Sequence, residues 1–203
     1  LAGTDTIHDW RYGEARYAGG MVRTVSLSET LAKAGRSFAV VTSSGQGSFT
    51  ALNWKGADLG QTGFNVRHPQ LAFPHDLAID IAREHKVPST GFERFINSVW
   101  PAKQPAASII WLTEVDSASH LHGLGAEGQI ESMMACDRAI GALLDWRAHQ
   151  PERDRIAILI TSDHGHSTTS GFINLDAAFK QAGIRAATRF ADNVDIIFRR
   201  GRA

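Results

Sequence analysis

The chain has 203 residues, and its 21 lysines and arginines balance 21 aspartates and glutamates, which excludes a basic surface for nucleic acid or anionic membrane. The single cysteine, Cys136, excludes an intrachain disulfide, and no apolar run approaches the length of a membrane span. The length suits one core and Leu1 opens no signal-peptide pattern, so we expect one soluble domain over residues 1–203, with compartment and oligomeric state left open.

Helix and strand patterns alternate in the first part of the chain. Ser26 and Glu29 form a capping box for a predicted helix, and residues 37–42, SFAVVT, then predict a strand. This order is typical of an α/β fold. The glycine-rich residues 43–48 suggest a phosphate-binding loop, but Thr50 stands where a dinucleotide motif needs its third glycine. We therefore interpret this stretch as a turn at the sheet edge.

Residues 53–74 show no regular period, and two helices are predicted after them. The first helix covers residues 76–86, and the second begins at a capping box formed by Thr90 and Glu93. Five apolar residues share one face of the second helix: Phe92, Phe95, Ile96, Val99 and Trp100. We interpret this face as core packing.

Two apolar runs are each followed by aspartate and histidine. Residues 107–112, ASIIWL, and residues 156–160, IAILI, both predict strands, the second one buried on both faces. The polar residues are Asp116, His120 and His122 after the first run, and Asp163, His164 and His166 after the second. We expect both groups at one sheet edge, because open α/β sheets bind ligands at the carboxyl ends of their strands. Carboxylate and imidazole suit a divalent metal of the zinc or manganese type.

The longest periodic element is a predicted helix over residues 128–149. Its apolar residues share one predicted face: Ile130, Met133, Met134, Ile140, Leu143 and Leu144. Asp137 falls on the same face and would need a partner, because burial of an unpaired carboxylate is costly. We favour a hydrogen bond to the backbone or to Arg138. The alternative is that Asp137 accepts a hydrogen bond from a metal-binding histidine and orients it. A helix near residues 174–182 and a half-buried strand near 194–199 are predicted after it.

Together, the two motifs resemble the type I phosphodiesterase and nucleotide pyrophosphatase branch of the alkaline phosphatase superfamily. The motifs are Asp116-x-x-x-His120-x-x-Gly123 and, after an amphipathic helix, Thr161-Ser162-Asp163-His164-Gly165. The resemblance covers about residues 25–175. It implies an α/β fold of the alkaline phosphatase type, a three-layer sandwich with a mainly parallel central sheet. It also implies a metal-dependent hydrolase that cleaves phosphodiester or pyrophosphate bonds in a small phosphate ester or nucleotide.

In the resembling family, two divalent ions serve catalysis, and zinc is expected here with manganese as the alternative. The resemblance assigns Asp116 and His120 to one ion, which a later histidine also binds. It assigns Asp163 and His164 to the other ion, which an earlier aspartate also binds and which activates a threonine or serine nucleophile. The same metal edge serves phosphomonoesterases, phosphonate hydrolases and sulfatases of the superfamily, and these remain alternatives.

Part of the family pattern has no match in this chain. Nothing before Leu27 matches the aspartate-bearing strand or the nucleophile turn, and no histidine follows His166. We therefore expect these residues to be the interior of a longer catalytic domain, without its nucleophile and with poor metal binding on its own. A divergent protein in which His122 or His166 replaces a ligand is the alternative, although a turn at Gly165 would direct His166 away. A non-catalytic metal-binding domain also stays open.

Overall fold

A parallel sheet of three strands forms the centre of the chain in a computed structural model, which describes residues 13–15, 20, 22–76, 88–171, 173–188 and 193–197. The strands are β1 (Phe38–Thr42), β2 (Thr62–Asn65) and β3 (Ala107–Trp111). β1 lies in the middle and pairs in parallel with both neighbours. The predicted strands at 37–42 and 107–112 are therefore confirmed as neighbours. β2 lies in a stretch that we expected to be irregular, so that expectation was wrong.

Two short helices flank β1 along the chain, α1 (Leu27–Lys33) and α2 (Gln46–Leu52). The predicted capping box of α1 is confirmed: the Ser26 hydroxyl accepts the Glu29 N–H at 3.1 Å, and the Ser26 N–H donates to the Glu29 carboxylate at 2.9 Å. α2 begins directly after Gly45, so the glycine-rich stretch is a turn that leads into a helix.

A longer helical stretch leads to β3. It consists of α3 (Pro88–Arg94), a π-helical turn (Phe95–Val99) and α4 (Trp100–Lys103). Thr90 lies inside α3, so the capping box predicted there is wrong. The apolar face is confirmed as core, with three residues buried and two partly buried against them: Phe92, Phe95 and Val99, then Ile96 and Trp100. The helix predicted over residues 76–86 falls outside the described residues, apart from its first residue.

Alternate side chains of β1 contribute to two hydrophobic clusters. Ala39 and Val41 belong to a cluster that includes residues of the helical stretch before β3, whereas Phe38 and Val40 pack with Phe49 of α2. Successive side chains of a strand point to opposite faces of its sheet, so both faces of β1 are covered. This double cover explains why β1 is apolar at consecutive positions and fully buried.

Two helices follow β3, α5 (Glu114–His122) and α6 (Glu127–Ala148), and α6 confirms the predicted long helix. The face of α6 that packs inward agrees with the predicted one only at Ile140 and Leu143. Its buried residues are Cys136, Ala139 and Leu143. Met133 and Met134 are about half exposed, and Asp137 is exposed. This rotation leaves the Asp137 carboxylate in water and avoids its desolvation, so neither predicted role of Asp137 is found.

The apolar run at residues 156–160 is not a strand, which corrects the central expectation from the sequence. A 3₁₀ turn (Arg153–Arg155) precedes it, and residues 156–171 form no helix or strand. Only Ile158 packs against the core, while Leu159 is 89% exposed. Apolar residues form a strand only where their backbone groups can pair with a neighbouring strand. Here the Ile156 carbonyl accepts a hydrogen bond from the side chain of Arg147 instead, from Nε at 2.6 Å. Among the described residues, β3 pairs only with β1.

The last part of the chain contains α7 (Leu175–Gln181) and a pair of two-residue parallel strands, β4 (Ala186–Ala187) and β5 (Ile196–Ile197). The Asn174 side chain accepts the Ala177 N–H at 3.1 Å, as expected for the start of the predicted helix. Of the half-buried strand predicted near 194–199, Val194 is partly buried and β5 is exposed, whereas residues 198 and 199 fall outside the described residues. No helix in the described part of the chain is long and apolar enough to cross a membrane.

Candidate metal centre

The first motif lies on α5, just beyond the carboxyl end of β3. Asp116 and His120 are four residues apart, so they share one helix face, and Nε2 of His120 lies 3.6 Å from Oδ1 of Asp116. The start of α5 is tied to the end of β1, because the Thr113 N–H donates to the Ser43 hydroxyl and the Thr113 hydroxyl donates to the Ser43 carbonyl, both at 3.1 Å. Asp116 is therefore held at the sheet edge.

The second motif reaches the same carboxylate. Nε2 of His164 lies 3.7 Å from Oδ1 of Asp116, and Nε2 of His166 lies 3.2 Å from it. The predicted meeting of the two motifs is therefore confirmed as a contact. It is made by side chains, although the segment that carries the second motif forms no strand.

His166 lies between the other imidazoles. Its ring centroid is 5.3 Å from that of His120 and 5.2 Å from that of His164. Its side chain is 23% exposed, against 36% for Asp116 and 52% for His164. Gly165 was expected to turn His166 away from the site, and this expectation was wrong.

The other candidate residues lie at the rim or outside the cluster. Oδ2 of Asp163 is 3.5 Å from Nε2 of His164, the same nitrogen that lies 3.7 Å from Oδ1 of Asp116. His122 is exposed, and its ring lies so close to Gly128 that a Cβ there would be 2.7 Å from it. Asp137 is exposed on α6 and does not belong to the cluster.

The donor atoms have the chemistry and spacing of a metal site. One ligand atom each from Asp116, His164 and His166 lies within 4.8 Å of the other two. A tetrahedral zinc ion with bonds of about 2.0–2.2 Å places its ligand atoms about 3.4 Å apart. The observed separations of 3.2–3.7 Å between the carboxylate and the three imidazoles agree with this value. Two imidazoles and a carboxylate also form a common catalytic ligand set that leaves a position open for substrate.

Local hydrogen bonds set the orientation of His164. Its Nδ1 lies 3.0 Å from the Gly165 carbonyl, and that carbonyl can only accept a hydrogen bond. When Nδ1 carries the proton and donates to it, Nε2 is left with a lone pair that faces Asp116. The Ser162 hydroxyl donates to the His164 carbonyl at 2.6 Å, so the loop around His164 is also fixed from within.

Residues 8–202 match the family model of type I phosphodiesterase / nucleotide pyrophosphatase. The chain belongs to this family. The match covers nearly all of the chain, and it confirms the resemblance indicated by the two motifs. The family name describes hydrolases of phosphodiester and pyrophosphate bonds, for which a small phosphodiester is a fitting substrate. We find no significant match among curated proteins or solved structures.

Proposed function

We propose that this family member is a metal-dependent hydrolase of phosphodiester or pyrophosphate bonds in a small-molecule substrate. The observation that carries the proposal is the contact of both family motifs at one carboxylate, that of Asp116, with imidazoles at ligand spacing. Chain-wide family membership supplies the reaction class. The balanced charge of the chain favours a small substrate over nucleic acid.

We further propose two divalent ions, zinc by preference and manganese as the alternative. Asp116 and His120 would hold one ion, Asp163 and His164 would hold the other, and His166 would be an additional ligand. The carboxylates of Asp116 and Asp163 both lie close to Nε2 of His164, at 3.7 Å and 3.5 Å, so the two proposed ions would be neighbours. A bound ion supplies Lewis-acid polarisation of a phosphoryl oxygen and stabilises charge on an attacking or leaving oxygen.

The residues of the chain have distinct tasks in this proposal. The Asp116 carboxylate fixes the position of the site relative to β3, and three imidazoles approach its Oδ1 at 3.2–3.7 Å. The partial exposure of Asp116 and His164 leaves access for a substrate from the other side. Ser43 and Thr113 use their hydroxyls to join the ends of β1 and β3, so we assign neither as a nucleophile.

The fold supports placing this site in an alkaline-phosphatase-like domain. We propose that the parallel sheet is the middle layer of a three-layer α/β sandwich within one domain. The support is the packing of helices against both faces of β1. The site would then lie at the carboxyl end of the sheet, where α/β enzymes bind their ligands.

The test, made on the full-length protein, combines metal analysis with hydrolysis of two chromogenic esters. The protein is dialysed against buffer, its metal content is measured, and turnover of a phosphodiester and of a phosphomonoester is followed with and without chelator. Asp116→Ala should lose both metal and turnover. Asp137→Ala is the matched control, because Asp137 is an exposed aspartate outside the cluster.

Each outcome has a defined meaning. Chelator-sensitive cleavage of the diester supports the proposal, and preferential cleavage of the monoester replaces it with a phosphomonoesterase function. Metal binding without turnover of either ester indicates a metal-binding domain. Equal metal content in Asp116→Ala and Asp137→Ala would falsify the assignment of the site.

A further inference from the structure

Arg67 lies at the same edge of the sheet as the candidate metal centre. It follows the end of β2 by two residues, and β2, β1 and β3 are parallel, so their carboxyl ends lie on one side. Nη2 of Arg67 donates to the Ser117 hydroxyl at 3.2 Å. Ser117 is the residue after Asp116 on α5. The guanidinium is therefore anchored on α5 at the residue that follows the aspartate of the cluster.

The backbone at Arg67 is fixed by a buried asparagine. Oδ1 of Asn65 accepts the N–H groups of Arg67 at 2.9 Å and His68 at 3.0 Å. Nδ2 of the same side chain donates to the Ser44 carbonyl at 3.0 Å, and Asn65 is fully buried. This side chain joins the loop after β2 to the loop after β1. Arg67 thus combines a rigid backbone with an exposed side chain.

The charge of Arg67 is not neutralised within the described part of the chain. No carboxylate there forms an ion pair with it, and its hydrogen bond to Ser117 uses one of five N–H donors. A guanidinium presents these donors as a planar fork that matches two oxygens of a phosphate. An arginine that only keeps the protein surface charged and hydrated would not require both a fixed backbone and a fixed guanidinium group.

We propose that Arg67 is a substrate-binding residue that donates hydrogen bonds to phosphoryl oxygens of the ester at the metal centre. The proposal rests on the proposed function, because it takes a phosphate ester as the substrate. The imidazoles and carboxylates would hold the metal ion, and Arg67 would donate to the phosphoryl group from the loop after β2. Ser117 orients the guanidinium and is a positioning residue.

The test measures binding of inorganic phosphate by calorimetry, with the protein titrated both with and without added Zn²⁺. Arg67→Ala should weaken phosphate binding about tenfold or more, as expected for loss of a charge-assisted hydrogen bond. Arg67→Lys keeps the charge but loses the fork, and it should fall between Arg67→Ala and wild type. Arg138→Ala is the matched control, an exposed arginine on α6, and it should bind phosphate like wild type.

Metal content and circular dichroism of each variant separate this proposal from the proposed function. If Arg67→Ala keeps its fold and metal and loses phosphate affinity, the proposal is supported, even when no variant hydrolyses an ester. Equal phosphate affinity in Arg67→Ala and wild type overturns it. Absence of phosphate binding by wild type under both conditions also overturns it. For a variant that turns over the diester, an increase in KM with little change in kcat supports a binding role.

Discussion

Nε2 of His166 lies 3.2 Å from Oδ1 of Asp116, which is closer than either histidine that the family motifs match. Asp116 stands on a helix tied to the sheet, whereas His166 stands on a segment without helix or strand. The contact is therefore one of the few that fix the second motif relative to the first. It also provides a third imidazole in a chain that has no histidine after this position.

Replacing His166 with alanine should weaken metal binding. Loss of even an outer partner of a metal ligand lowers affinity about 10- to 100-fold, and a direct ligand should contribute at least as much. The measurement is the affinity for Zn²⁺ by competition with a chromogenic chelator. His122→Ala is the control, because His122 is also two residues from a motif histidine but packs against Gly128. Equal loss in both variants would show that His166 has no special role.

Metal binding should restrain the segment of residues 156–171. This segment has no strand partner among the described residues, and its contact with α5 is made by His164 and His166. An ion bound between these side chains and Asp116 would remove open conformations, so amide exchange at Leu159 and Ile160 should slow severalfold when Zn²⁺ is added. Hydrogen exchange with mass spectrometry measures this, and Asp116→Ala should abolish the effect. Protection that is unchanged by Zn²⁺ contradicts the proposed ligand role of this segment.

The motifs could be predicted from sequence because their information is local. Asp116 and His120 are four residues apart, so they share one face of a helix whatever that helix packs against. The strand before them is indicated by the apolar residues of the strand itself. The run at 156–160 could not be predicted in the same way. Five apolar residues indicate hydrophobicity, but pairing depends on an edge elsewhere in the chain. The rotation of α6 depends likewise on its partners, so Asp137 was assigned to the wrong face.

The observed face of α6 predicts opposite results for two adjacent leucines. Leu143 is buried in the core cluster, whereas Leu144 is 44% exposed. Leu143→Ala should lower the free energy of unfolding by about 2–5 kcal/mol, because it leaves a cavity. Leu144→Ala should change it by less than about 1 kcal/mol. Urea denaturation of both variants checks this, and similar losses would mean that α6 packs with the face expected from sequence alone.

Cys136 should be nearly unreactive in the folded protein. Burial, and secondarily the negative charge of Glu114, raises the pKa of its thiol from 9.0 to about 11. At pH 8 about one folded thiol in a thousand is then a thiolate, against about one in ten in the unfolded chain. Ellman's reagent should react slowly with native protein and quickly in denaturant. The pKa of the Cys136 thiol is higher in the folded protein than in the unfolded chain, so ionisation of this thiol favours unfolding. Its contribution to the free energy of unfolding is therefore complete below pH 9 and is lost as the pH rises from 9 to about 11. Glu114→Gln removes the smaller cause and should raise the reaction rate slightly, whereas fast reaction of native wild type at pH 8 would contradict the burial of this face of α6.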